Sequence, residues 1–547
     1  MRLSLSLLWL AVTGLALLVV ASASGPRIVN SVGKVLPPDA ARLSQQIYRF
    51  MGDEPTSLDV SVNLYVGGWN EFLFERLLAT DENGKLIPAA AARWTVSPDG
   101  KTWTFDLRKQ AKWSDGRPVT ARDFEYSYRR FLAPETANPY ASFYYDIKGA
   151  RAYNQGKMND PRLLGVRATD DYTLVIEVEH PAPYLGLIAA FPTSHPVPRW
   201  QVEKYGQKWT EAENCVTNSS YALVEWKHGD RMVFVLDRNY NGPVKGSVER
   251  IIRTFQHPSS ANLLPYENDE VGRVAVQANE LSRVLNNPVL KSQLVSSPAD
   301  GTWYLFFQTR KPPFNRLKVR QAISHAIDRE SICRVMLRRA GRPAYSMLTP
   351  TFDAYADYRQ VQAFNPALAK QMLAEAGYPG GRGFPVVELW LREAAPETKL
   401  VAEAIQGMLK DHLGIRLTIR SADYPVFTDQ MFNWKIPMGF VPFYADYRDP
   451  KNMLDMIWHP REAGTGRHDW MHAEFARLLD RADAEPNAAA RTALYRQAER
   501  ILVSDVGGVF VYHPIAYELY KPWLKGVKKN KFGGYSFIMT DVYIGTR

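Results

Sequence analysis

The stretch FYADYRDP, residues 443–450, sets one carboxylate, Asp446, among the rings of Phe443, Tyr444 and Tyr447, with Arg448 two residues further on. A carboxylate in aromatic surroundings is costly unless a cation meets it. The run MGFVPFYA that leads into Asp446 reads as a strand, and residues i and i+2 of a strand share a face, so Arg448 is the local candidate partner. A cation supplied from outside the chain is the alternative.

Catalytic signatures are absent: the chain has no G-x-S-x-G elbow, no S-x-x-K with its companion motifs, no H-E-x-x-H and no C-x-x-C. A triad assembled from distant residues would leave no such local mark. His468 and His472 are spaced i, i+4 in RHDWMHAEF and could share a helical face as metal ligands, but no third ligand is in view. A polar loop entering a helix near Asp469 or His472 is the simpler reading. GYPGGRGF, residues 377–384, follows a helical pattern and reads as a turn rather than a phosphate loop. Clusters such as ASFYYD, GTWYLFF and FVPFYADY either fill cores or line a ligand cavity.

The elements that would position these residues are legible in part. KTWTFDLR, from Lys101, and YTLVIEVEH, from Tyr172, alternate as half-buried strands do, the first after the turn SPDG. Beyond Asn315, residues Val319, Ala322, Ile323, Ala326 and Ile327 fall at helical spacing. Asn365 and Pro366 suit a helix N-cap and first position, and Gly377 a stop. Strands and helices interspersed along 547 residues indicate α/β lobes. The formal charge of +10 comes from Lys and Arg scattered among acidic residues, so an evenly solvated surface is expected and nucleic-acid binding is not.

Met1-Arg2, the apolar run Leu3 to Val20 and the small residues Ala21-Ser22-Ala23 read as a secretory signal peptide over residues 1–23. An uncleaved membrane anchor is the competing reading. No cysteine follows the cleavage region, so a lipid anchor is not indicated, and Cys215 and Cys333 are expected to be unpaired.

Leu86 to Tyr140, LIPAAAARWTVSPDGKTWTFDLRKQAKWSDGRPVTARDFEYSYRRFLAPETANPY, resembles the peptide-binding class of extracytoplasmic solute receptors that serve ABC importers, especially the oligopeptide-binding proteins. The likeness continues through YGQKWTEAENCVTNSSYALVEW, KPPFNRLKVRQAISHAIDRESI, GRPAYSMLTP and ADYRDP, covering almost all of the mature chain. The resemblance implies a two-lobed periplasmic binding protein of type II, cluster C-like, with an extra domain inserted in the N-terminal lobe. Lobe I would comprise 25–74, 199–300 and 516–547, the inserted domain 75–198, and lobe II 301–515. It also implies a short peptide ligand, ABC permease subunits in the inner membrane as partners, a periplasmic monomer, and no catalysis, cofactor or metal.

By the same resemblance Asp446 would pair with a peptide's α-ammonium, as a charge-assisted hydrogen bond. Phe443, Tyr444, Tyr140, Tyr304 and Tyr424 would flank the ligand. Several positions depart from the family pattern. Pro442 stands where Gly is usual and offers no N–H. SVNLYVGGWNE, after Asp59-Val60, is about two residues short. Asn218-Ser219-Ser220 replaces an N-G turn, and Phe440 takes the place of a basic residue that helps receive a C-terminal carboxylate. The family's cysteine pair falls at about Gly301 and Tyr444. Related receptors bind dipeptides, murein peptides, opines, metal chelates or sugars, so fold alone leaves the ligand open. An exported hydrolase or a holdase chaperone is the reading from a different class.

Overall fold

A computed structural model describes residues 27–62, 72–138, 140–255, 263–392, 395–461, 467–531, 535–536 and 538–547. The expected signal peptide and most of SVNLYVGGWNE lie outside the described residues.

The chain is α/β, built around three principal sheets. Strands Ile47–Gly52, Arg250–Phe255, Arg231–Leu236 and Tyr221–Lys227 form one four-stranded sheet in that order, its first pair parallel and the others antiparallel. A second, antiparallel sheet runs Ala91–Val96, Thr102–Leu107, Thr173–Glu177, Val166–Ala168, with helix Ala121–Leu132 packed against it. Its second and third strands are those expected from alternation: Trp103, Phe105 and Leu107 are buried while Thr102, Thr104 and Asp106 are only partly so. One hydrophobic core, from Tyr48 and Phe50 through Phe105 to Ile251, joins these two sheets.

The third sheet has eight strands and carries the candidate site. At its centre Gly301–Phe307 pairs on one side with Met438–Tyr444 and on the other with the long strand Gly508–Tyr520. GTWYLFF is buried on both faces: Leu305 and Phe307 enter one core, Tyr304 and Phe306 another. That two-sided burial explains an apolar run without alternation. Gly508–Tyr520 is shared along its length. Its first half pairs with Gly301–Phe307 and its second half with Leu294–Pro298, so the chain passes the same point twice, near 299 and near 515.

The helix signals hold locally. The segment after Asn315 forms Leu317–Ala326, which buries Val319, Ala322, Ile323 and Ala326. Asn365 Oδ1 accepts the Leu368 N–H at 3.0 Å, Pro366 opens helix Pro366–Glu375, and Gly377 takes φ +91° just beyond it. GYPGGRGF is a turn with Gly377, Gly380, Gly381 and Gly383 all at positive φ. Cys215 and Cys333 are free thiols, each pushed up to about 12 by burial. Among the described residues no helix is long and apolar enough to cross a membrane.

Candidate functional site

Asp446 lies two residues beyond the end of the Met438–Tyr444 strand and just before helix Pro450–Trp458. That helix starts where D-P predicts: Asp449 caps it by accepting the Lys451 N–H at 2.9 Å, and Pro450 fills the first position. Asn452, in its first turn, reaches back to hold the loop. The Asp446 N–H donates to Asn452 Oδ1 at 2.8 Å, and Asn452 Nδ2 donates to Asp446 Oδ2 at 3.3 Å. From the other side Tyr140 Oη donates to Asp446 Oδ1 at 3.2 Å, with the Tyr140 ring edge-on to Phe143 at 4.8 Å.

The local ion pair does not form. Arg448 turns away from Asp446, and its Nε donates to Asp300 Oδ2 at 2.9 Å. Asp446 forms no ion pair with any described side chain. Burial raises its carboxyl above the ordinary range, against the lowering effects of Asn452, of Arg467 at longer range and of Tyr140. The carboxylate is therefore half-buried, held by neutral donors and short of positive charge, which is the condition under which it gains most from a cationic partner.

The aromatic residues expected around it divide into two groups. Tyr444 is 48% exposed, unusual for a large ring. Phe443 is nearly buried, with the Arg467 guanidinium over its ring at 5.0 Å. Tyr424 opens helix Tyr424–Phe432 and carries Arg392 over its ring at 5.0 Å. Tyr304 departs from expectation: it is fully buried in the core against Trp458 and Phe510, and its hydroxyl lies 3.1 Å from His468 Nε2. With no exposed surface it has none to offer a ligand in this conformation.

The positions that depart from the family pattern have local explanations. Pro442 needs no N–H toward the Val387–Arg392 strand, because that pairing ends at Leu391 and Phe440. Phe440 is buried against Trp303 at 5.0 Å. Gly301 and Tyr444 are register partners, and a Cβ on Gly301 would sit 2.4 Å from the tyrosine ring, so the tyrosine fills the space above the glycine. Asn218 Oδ1 accepts the Glu75 N–H at 3.0 Å, and the Asn218 and Ser219 N–H groups both donate to Leu73 O.

His468 and His472 do not converge. His468 is buried beside Tyr304 and Phe306, whereas His472 caps helix Ala473–Ala484 by accepting the Phe475 N–H. Among the described residues no group of three potential metal ligands gathers. Sequence reasoning missed Asn452, Arg392 and Arg467. Only Asn452 had a local signal, its place in the first turn after D-P.

Residues 85–465 match the family of bacterial extracellular solute-binding proteins, family 5 Middle. The chain is 32% identical over 472 residues to the periplasmic oligopeptide-binding protein OppA of Escherichia coli, covering 83% of this chain and 84% of that one. It is 30% identical over 498 residues to the periplasmic murein peptide-binding protein MppA of the same organism, with 89% and 91% covered. Among solved structures it resembles the oligopeptide-binding protein OppAIV of Borrelia burgdorferi, with a TM-score of 0.78, 26% identity and coverage of 91% and 99%. The chain thus belongs to the family 5 bacterial extracellular solute-binding proteins and shares their two-lobed α/β fold.

Proposed function

We propose that this protein captures short peptides by their free α-amine outside the cytoplasm and delivers them to an ABC importer in the inner membrane. The observation that carries this reading is Asp446: a half-buried carboxylate, fixed by Asn452 and Tyr140 and without a cationic partner among the described residues. A peptide's α-ammonium supplies the missing charge, and Tyr444, Phe443, Tyr140 and Tyr424 supply flat apolar surface beside it. Peptide backbone can add to a sheet edge without regard to side chains, so such a receptor tolerates varied sequences.

The lobes would be 25–74 with 199–300 and 516–547, 75–198 as an inserted domain, and 301–515. The twin crossings near 299 and 515 support a two-strand hinge between the first and last of these. The mature protein would begin after residue 23, act as a periplasmic monomer and catalyse nothing.

Calorimetry on ligand-stripped protein tests this reading, with a short-peptide pool, murein peptides included, run against the same pool N-acetylated. Binding of the free-amine pool alone, lost in Asp446→Asn, is the expected result. Equal binding of both pools, or unchanged affinity in Asp446→Asn, would remove Asp446 from this role.

A further inference from the structure

A little beyond Tyr140, the same segment makes a second contact with the region that follows Asp446. Asp146 Oδ2 lies 3.8 Å from the ammonium of Lys451, in the first turn of helix Pro450–Trp458. The two sides belong to different cores: Phe143, Ile147 and Tyr184 pack with the second sheet, and Met453, Leu454 and Tyr495 with the third. Lys451 Nζ also stands 3.6 Å from Asp455 and closer still to Asp483. One nearly buried ammonium thus serves three carboxylates.

Among the described residues the remaining charges do not even the count. Asp455 has Arg461 at 2.8 Å, and Arg491 pairs with Asp449 at 2.6 Å. Tyr184 donates to Asp146 at 2.5 Å and Tyr495 to Asp483 at 3.1 Å, but neither brings charge. Burial and the four aspartates push the Tyr447 hydroxyl well up, so it too stays neutral. His459 pairs with exposed Asp480 at 3.0 Å. His180, 3.4 Å from Asp146, is a further group beside the cluster able to carry a proton. Asp449, Asp455 and Asp483 balance Lys451, Arg461 and Arg491 on the third-sheet side, and Asp146 arrives from the other side as a carboxylate in excess. An uncompensated buried charge is costly, and a proton removes it. Burial first, then Asp455 and Asp146, outweigh Lys451 and push Asp483 up to about 7.

We infer that closing the cleft around a peptide draws a proton into the Asp146, Lys451 and Asp483 cluster, so that ligand capture and proton uptake are linked. The inference rests on the peptide reading and the hinge above. Tyr140 reaches Asp446 and Asp146 reaches Lys451 from one short segment, so the motion that completes the amine site also brings in the extra carboxylate. With the sides parted the cluster is balanced and open to water; once they meet, its proton affinity is raised. A group raised on closing favours the closed form below its closed value, so this linkage weakens peptide binding as pH rises through about 7. Its sign is opposite to that of the acid loss at Asp446, and Asp146→Asn leaves that loss to be read undiluted.

Calorimetry of Ala-Ala-Ala binding to the native protein, in phosphate and imidazole buffers of different ionisation enthalpy, counts the protons exchanged. The titration is run at about pH 6.5, more than one unit below the ordinary α-amine pKa of about 7.7–8.0. There the peptide is already an ammonium, and Asp446 can only release a proton on meeting it, so neither imitates uptake. The expected result is uptake of roughly half a proton or more per peptide, lost in Asp146→Asn and in Asp483→Asn. Melting curves check that these variants fold; one that does suffices, and the native count decides alone if neither does. No uptake or a net release in the native protein, or uptake kept in a folded variant, overturns the inference, while binding of Ala-Ala-Ala but not of its N-acetylated form upholds the peptide reading. No binding of Ala-Ala-Ala overturns both.

Discussion

Lys451 Nζ stands 3.8 Å from Asp146 Oδ2, joining the segment of the second sheet to the helix that follows Asp446. The lysine is nearly buried, 3.6 Å from Asp455, in closer contact with Asp483, and 4.8 Å over the Tyr184 ring, whose hydroxyl donates to Asp146. Burial alone would lower its pKa, but the surrounding carboxylates reverse the sign and raise it. A raised lysine contributes stability fully below its unfolded value, and loses it only in strong alkali. Lys451→Met leaves buried Asp483 without its lysine, while Asp455 keeps Arg461 at 2.8 Å. The expected cost is about 3–5 kcal/mol in denaturant unfolding, with part recovered by adding Asp483→Asn.

Affinity for a free-amine peptide should fall on acidification sooner than for an ordinary surface carboxylate. Burial raises the Asp446 carboxyl, and only its ionised form attracts an ammonium. Titration calorimetry from neutral pH downward checks the direction. Tyr140→Phe, which removes the hydrogen bond to Oδ1, should move the loss to higher pH and weaken binding by about 1 kcal/mol. A pH-independent affinity would contradict the role of this carboxylate.

Glu499 is fully buried in helix Ala488–Ser504, accepts the Leu348 N–H at 2.7 Å on one oxygen, and has no partner for the other. Burial pushes it up to about 8. A carboxyl raised on folding stays protonated in the native state, so its contribution is complete below about pH 4.5 and drains away as pH rises toward the folded value. Glu499→Gln keeps the acceptor and removes the titration. Stability of the native protein relative to this variant should fall with rising pH, by up to about 1.4 kcal/mol per unit, measured by denaturant melts at several pH values.

Gly301→Ala should disturb Tyr444 directly, since the new Cβ would lie 2.4 Å from its ring. Overpacking of this kind costs about 1–3 kcal/mol. Tyr444→Ala in the same chain should relieve most of it, and a double-mutant cycle measures the coupling. Additive effects would show that the ring moves aside freely.

How much was legible depends on the range of the interaction. The strand over 102–107, the Asn365 cap and the D-P helix start follow from neighbours within a few residues. The burial of Tyr304 was not legible, because GTWYLFF is apolar on both faces and its pattern does not say which residue faces core and which faces cleft. The pairing of Asp446 was misleading in the opposite way: Arg448 stands at the right spacing, yet Asp300 claims it.

What the sequence determined by itself was the α/β character, the family, and the presence of a carboxylate that wants a cation, because propensity, capping and motif chemistry act over short stretches of chain. Only the tertiary structure decided which charges remain unpaired. Asp300 takes Arg448, Asp449 takes Arg491, Arg392 settles over the Tyr424 ring and Arg467 over Phe443. Those assignments join residues far apart in the chain, and electrostatic attraction depends on distance in space, which one-dimensional order does not record.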